Sequence, residues 1–90
     1  VGHVGDGNFH VDMVIDPDNP EELERAVRLN DRLVDRAQAM DGTCTGEHGV
    51  GYGKIDKLFG ELGEAVQIMR SVKKAVDPLN IMNPGKIVRL

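Results

Sequence analysis

Residues 9–20 read Phe9-His10-Val11-Asp12-Met13-Val14-Ile15-Asp16-Pro17-Asp18-Asn19-Pro20. Up to Asp16 the side chains alternate. Phe9, Val11, Met13 and Ile15 fall on one side, and Asn8, His10, Asp12, Val14 and Asp16 on the other, which is the period of a half-buried strand. From Asp16 to Pro20 the chain turns, because Asn19 suits an N-cap, Pro20 suits the first helical position, and Glu22 completes a capping-box pattern. The following stretch to about Met40 carries Leu23, Ala26, Val27, Leu33, Val34, Ala37 and Met40 on one side and closes at Asp41-Gly42. The switch of period at Asp16 sets the expected class: mostly α with a short β segment (α+β).

Further along lies a glycine-rich loop, Gly42 to Gly53, and then a short helix expected from about Lys54 to Phe59. A longer helix from about Glu61 to Val76 presents Leu62, Ala65, Val66, Met69, Val72 and Val76. Asp77-Pro78 ends it, since the residue before proline avoids the helical region. The two long helices are expected to pack through their aliphatic stripes. A compact tail, Asn80-Ile-Met-Asn-Pro-Gly-Lys-Ile, follows.

The 90 residues allow one small domain. With no Trp, one Tyr and two Phe, its core must be aliphatic. The chain enters directly on a glycine-rich loop, an odd place for a terminus that should tolerate fraying. Residues 1–90 are therefore expected to be the C-terminal portion of a longer chain, and uncovered partner surface should favour self-association of the isolated piece. A net charge of −4 opposes a nucleic-acid surface. No apolar run has the length of a membrane span. The single cysteine, Cys44, forms no intrachain disulfide, which fits a reducing, cytoplasmic setting.

Chemistry concentrates in two loops. The first, Gly2-His-Val-Gly-Asp-Gly-Asn-Phe-His10, frames two histidines with glycines. The second contains Thr45-Gly-Glu-His-Gly-Val-Gly51. Neither cradles phosphate by its pattern: counting back from Gly53-Lys54 puts His48 where a Walker loop needs its first glycine, and Gly-x-Gly-x-x-Gly is absent. A metal reading does better. His3 and His10 offer nitrogens and Glu47 a carboxylate, a set that leaves positions open on zinc, manganese or iron. His48, adjacent to Glu47, suits a general base facing a substrate held by the metal. Cys44 reads first as a small packing residue, and Asp6 as a turn former.

These residues carry a resemblance. The first loop, Thr45–Gly51 with Lys54, and Asp77-Pro-Leu-Asn-Ile-Met-Asn-Pro-Gly-Lys86 together resemble the C-terminal part of FAD-linked 2-hydroxy acid dehydrogenases and oxidases. These are the D-lactate dehydrogenase, glycolate oxidase and D-2-hydroxyglutarate dehydrogenase relatives of the vanillyl-alcohol oxidase superfamily. The resemblance implies a two-domain flavoenzyme whose FAD-binding domain lies N-terminal to these residues and whose substrate is a small D-2-hydroxy acid. It implies a divalent metal on His3, His10 and Glu47, with His48 as base. Asn8 and Asp12 would face the substrate, and Asn83 and Lys86 of the tail the cofactor. The hydroxyglutarate branch often carries Asn where this chain has Asp12. The family also allows the whole enzyme a peripheral place at a membrane.

A rival from another class is a noncatalytic, metal-stabilised helical interaction domain. In it His3, His10 and Glu47 close a structural site with Cys44 as fourth ligand, since structural sites are filled by protein donors while catalytic ones stay open.

Overall fold

The computed structural model describes residues 1–90. Its elements are a single 3-10 turn at Val4–Asp6 and three helices: α1 (Pro20–Ala39), α2 (Ile55–Leu62) and α3 (Ala65–Val76). The chain divides into two compact units, Val1–Glu47 and His48–Leu90.

In the first unit, α1 begins as its sequence dictates. The Asn19 side chain accepts hydrogen bonds from the backbone N–H groups of Glu21 (3.1 Å) and Glu22 (3.4 Å). Glu22 does not close the reciprocal half of a capping box. Its carboxylate instead accepts from the backbone N–H of Asp16 at 2.7 Å, while Asn19 N–H donates to the Asp16 carbonyl. The carboxylate thus ties the incoming chain to the first helical turn. At the other end, Asp41 N–H donates to the Gln38 carbonyl and Gly42 N–H to that of Ala37, satisfying two carbonyls the helix leaves open. Asp41 takes the left-handed conformation at φ 63°, and a Cβ on Gly42 would stand 2.8 Å from the Ala37 oxygen.

The strand expected over Phe9–Asp16 does not form, so the short β segment is corrected to an irregular extended stretch. A strand is held by a neighbour's backbone, and a lone extended segment has none. The chain contains no second alternating run to supply one. The alternation survives only in burial: Met13 and Ile15 are half-buried, while Val14 between them is fully exposed. Nor does α1 bury any of its residues; Leu23 and Val27 are each 51% exposed.

Apart from Cys44, the buried apolar residues lie in the second unit. There α2 packs on α3, and Ile55, Leu58 and Val66 are buried together with Val88 of the tail. The single long helix expected from Glu61 to Val76 is broken at Gly63 (φ 53°, ψ −126°), where α2 ends and the chain turns into α3. Residue types that tolerate such a φ are few, and glycine is the natural one.

The tail is tied down by charge. Asp77 is buried, and its carboxylate accepts from the backbone N–H groups of Ile81 (3.0 Å) and Met82 (2.9 Å) and from the Lys73 ammonium. Lys73 also donates to the Met82 carbonyl. Farther on, Ile87 N–H donates to the Gly51 carbonyl at 2.6 Å, and Arg89 bonds Asp56 while its carbonyl accepts from Arg70.

Two outcomes follow from these ties. Removing the cap in Asn19→Ala lowers the unfolding free energy by about 1 kcal/mol, read from denaturant unfolding. The Lys73 ammonium holds the Asp77 carboxyl below the ordinary carboxylate range, against the opposing effect of burial. A carboxylate depressed in the folded state contributes stability above its unfolded pKa and loses it as pH falls through the folded value. Acid unfolding below the ordinary carboxylate range is therefore shallower in Asp77→Asn than in the unaltered chain, measured by circular dichroism across pH.

Candidate metal centre

The first glycine-rich loop doubles back on itself. His3 donates nothing from its backbone here but accepts twice: its carbonyl takes the N–H groups of Asp6 (2.9 Å) and Asn8 (3.1 Å). Gly7 completes the turn at φ 76°, with its N–H on the Val4 carbonyl. The returning arm meets the outgoing one where His10 N–H donates to the Val1 carbonyl. At this crossing, Gly2 lies so close that a Cβ would stand 2.6 Å from both the Asn8 oxygen and the Phe9 Cα. No real side chain fits there. The residue between these arms must be glycine for His3 and His10 to flank one space.

Glu47 enters that space from the middle of the second loop. Its Oε1 stands 2.5 Å from His10 Nε2, and its Oε2 stands 3.5 Å from His3 Nε2. Each carboxylate oxygen faces a different imidazole. The His10 side chain is 33% exposed and that of His3 69%, so the group is reachable from solvent. Two imidazoles and a carboxylate form a nitrogen and oxygen donor set that suits zinc, manganese or iron. Their convergence from 37 residues apart in sequence is a property of the fold.

Asn8 is half-buried against the backbone of Gly46, where a Cβ would meet its Nδ2 at 2.5 Å. Its Oδ1 is buried without a hydrogen-bond partner. Asn8 therefore packs the two loops together, a role the sequence reading missed. A glycine directly before Glu47 was the available signal. Asp12 is exposed on the extended stretch, and His48, exposed, follows Glu47 directly and opens the second unit. Cys44 is buried and forms no disulfide, as suits a packing residue. In the second unit, Asn83 and Lys86 are both exposed on the tail turn, with Lys86 N–H donating to the Asn83 carbonyl. The Lys86 ammonium sits 4.1 Å from the centroid of the Tyr52 ring. Sequence spacing gave no sign of that pair.

The sequence is similar to parts of larger known proteins. The chain is 52% identical over 90 residues to a probable mitochondrial D-lactate dehydrogenase of Danio rerio, covering 99% of this chain and 18% of that protein. It is 57% identical over 90 residues to mitochondrial D-lactate dehydrogenase [cytochrome] 1 of Saccharomyces cerevisiae, covering 99% and 15%. Glycolate oxidase subunit GlcD of Bacillus subtilis is 42% identical over 87 residues, covering 96% and 18%. The chain thus spans less than one-fifth of the length of these relatives. The family described as FAD linked oxidases, C-terminal domain, matches residues 1–87, and the chain belongs to that family.

Proposed function

We propose that these residues form the C-terminal part of a flavin-dependent oxidoreductase that oxidises a D-2-hydroxy acid of the lactate or glycolate type to the 2-oxo acid. The observation that supports it is the pair of imidazoles on the two oxygens of Glu47. In this reading His3, His10 and Glu47 hold a divalent cation. When bound, the cation polarises the substrate's carboxylate and hydroxyl oxygens and FAD accepts the hydride from C2. His48 takes the hydroxyl proton on its imidazole, so that loss of hydride from C2 leaves a neutral C=O. Asn8 and Asp12 border the substrate. The exposed turn of Asn83 and Lys86 faces the cofactor, whose binding domain, in this reading, precedes these residues in the longer enzyme.

The named relatives support the substrate class in part, because D-lactate and glycolate are both small 2-hydroxy acids. No helix is long and apolar enough to cross a membrane. A cytoplasmic place is part of the proposal and draws no support from the eukaryotic relatives, which are named mitochondrial. Peripheral contact of the whole enzyme with a membrane belongs to the proposal too. So does self-association of the 90-residue piece, for which α3 leaves Ile68, Val72 and Val76 exposed.

The test uses the longer enzyme with metal analysis beside rapid flavin-reduction kinetics. Glu47→Gln lowers metal content, since a charged donor becomes neutral. His48→Asn retains metal and slows flavin reduction by on the order of a hundredfold. Metal loss in His48→Asn with retention in Glu47→Gln reverses the two roles, and full activity in both overturns the reading. On the 90-residue chain itself, Gly2→Ala drives the loop arms apart and weakens zinc or manganese binding in calorimetric titration, because both atoms it would strike are backbone.

A further inference from the structure

Asp77 is the buried charged residue of the second unit, and nothing in the proposed chemistry uses it. Its carboxylate is saturated from inside: Oδ1 takes Ile81 N–H, and Oδ2 takes Met82 N–H and the Lys73 ammonium. The same ammonium donates to the Met82 carbonyl, so Met82 is gripped at both its N–H and its C=O. This clasp ends one residue before Asn83, which holds a left-handed φ of 46° and starts the turn to Lys86. The turn's other end is fixed by Ile87 N–H on the Gly51 carbonyl and by buried Val88. Between the two anchors, Lys86 projects over Tyr52. A flexible tail would scatter Asn83 and Lys86 over many conformations, at roughly 1–2 kcal/mol of entropy per ordered residue.

We propose that Lys73 and Asp77 are positioning residues: their ion pair, closed on both backbone groups of Met82, sets where the Asn83–Lys86 turn and the Lys86 ammonium stand. The functional consequence rests on the reading that this turn meets the cofactor, but the placement itself does not. Lys73 and Asp77 lie four residues apart, at the last turn of α3 and its C-cap, a spacing that brings a cation and an anion together at a helix end.

Proton NMR on the 90-residue chain tests the placement. The Tyr52 ring shifts the terminal methylene protons of Lys86 upfield, and Tyr52→Leu abolishes that shift, which identifies its source. In Lys73→Met the shift falls by about half or more, because the turn is then anchored at its Ile87–Val88 end alone and the exposed ring contact is weak. Lys73→Arg retains a cation and keeps most of it. Asp77→Asn behaves like Lys73→Met. Should Asp77→Asn lose its helix by circular dichroism, the contrast of Lys73→Met with Lys73→Arg decides alone. An undiminished Lys86 shift in folded Lys73→Met, or no such shift in the unaltered chain, overturns the proposal. In the longer enzyme, unchanged flavin content of Lys73→Met despite a lost Lys86 shift leaves the placement standing and counts against the cofactor reading of the turn.

Discussion

The bare backbone of Gly2 lies against Asn8 and Phe9, with room for no Cβ, and the placement of the donor group depends on that contact. It lets the arms of a ten-residue loop cross, so that His3 and His10 flank one space. Histidine side chains reach only a few ångströms, and two of them serve one cation only when their backbones are held at a fixed separation. The His3 carbonyl, accepting from Asp6 and Asn8, and the left-handed Gly7 supply the turn between the arms. Asn8 then continues the chain of causes: its side chain rests on Gly46, and Glu47 is the next residue. One asparagine thus links the loop that carries the histidines to the loop that carries the carboxylate.

The second unit solves a different problem with different means. Its apolar core is small, resting on Ile55, Leu58, Val66 and Val88, and each such side chain contributes on the order of 1.5–3 kcal/mol on burial. The tail has little helix or strand to hold it. Buried charge does that work instead, at Asp77 with Lys73, and exposed charge adds Arg89 with Asp56. The two pairs differ in kind. The first is desolvated and satisfied by backbone donors, so breaking one partner strands the other. The second is exposed to solvent, where such pairs contribute little.

Much of this could be read from residue order. The start of α1 followed from Asn19-Pro20 and its end from Asp41-Gly42, because caps are local chemistry. The approach of His3 and His10 to Glu47 was legible because glycines on both sides of a polar residue signal a tightly bent chain. The strand over Phe9–Asp16 was misread for a physical reason: alternation describes one edge of a pairing and says nothing about whether a partner exists. The break at Gly63 was missed because the apolar stripe runs through it from Leu62 to Val66. The Asn8–Gly46 contact and the seat of Lys86 on Tyr52 depend on residues far apart in sequence, and no period or motif records them. The clasp lay between these cases, since Lys73 and Asp77 stand at a helical spacing, but its grip on Met82 is visible only in three dimensions.

The central claim is that His3, His10 and Glu47 converge to hold a metal and leave room on it. X-ray absorption spectroscopy on the zinc-loaded chain, with the Cys44→Ser variant beside it, measures this directly. The account predicts nitrogen and oxygen scatterers only, at about 2.0–2.2 Å, with spectra unchanged by Cys44→Ser and positions left to water. A sulfur scatterer near 2.3 Å that disappears in Cys44→Ser would contradict it, and would make the site a closed structural one.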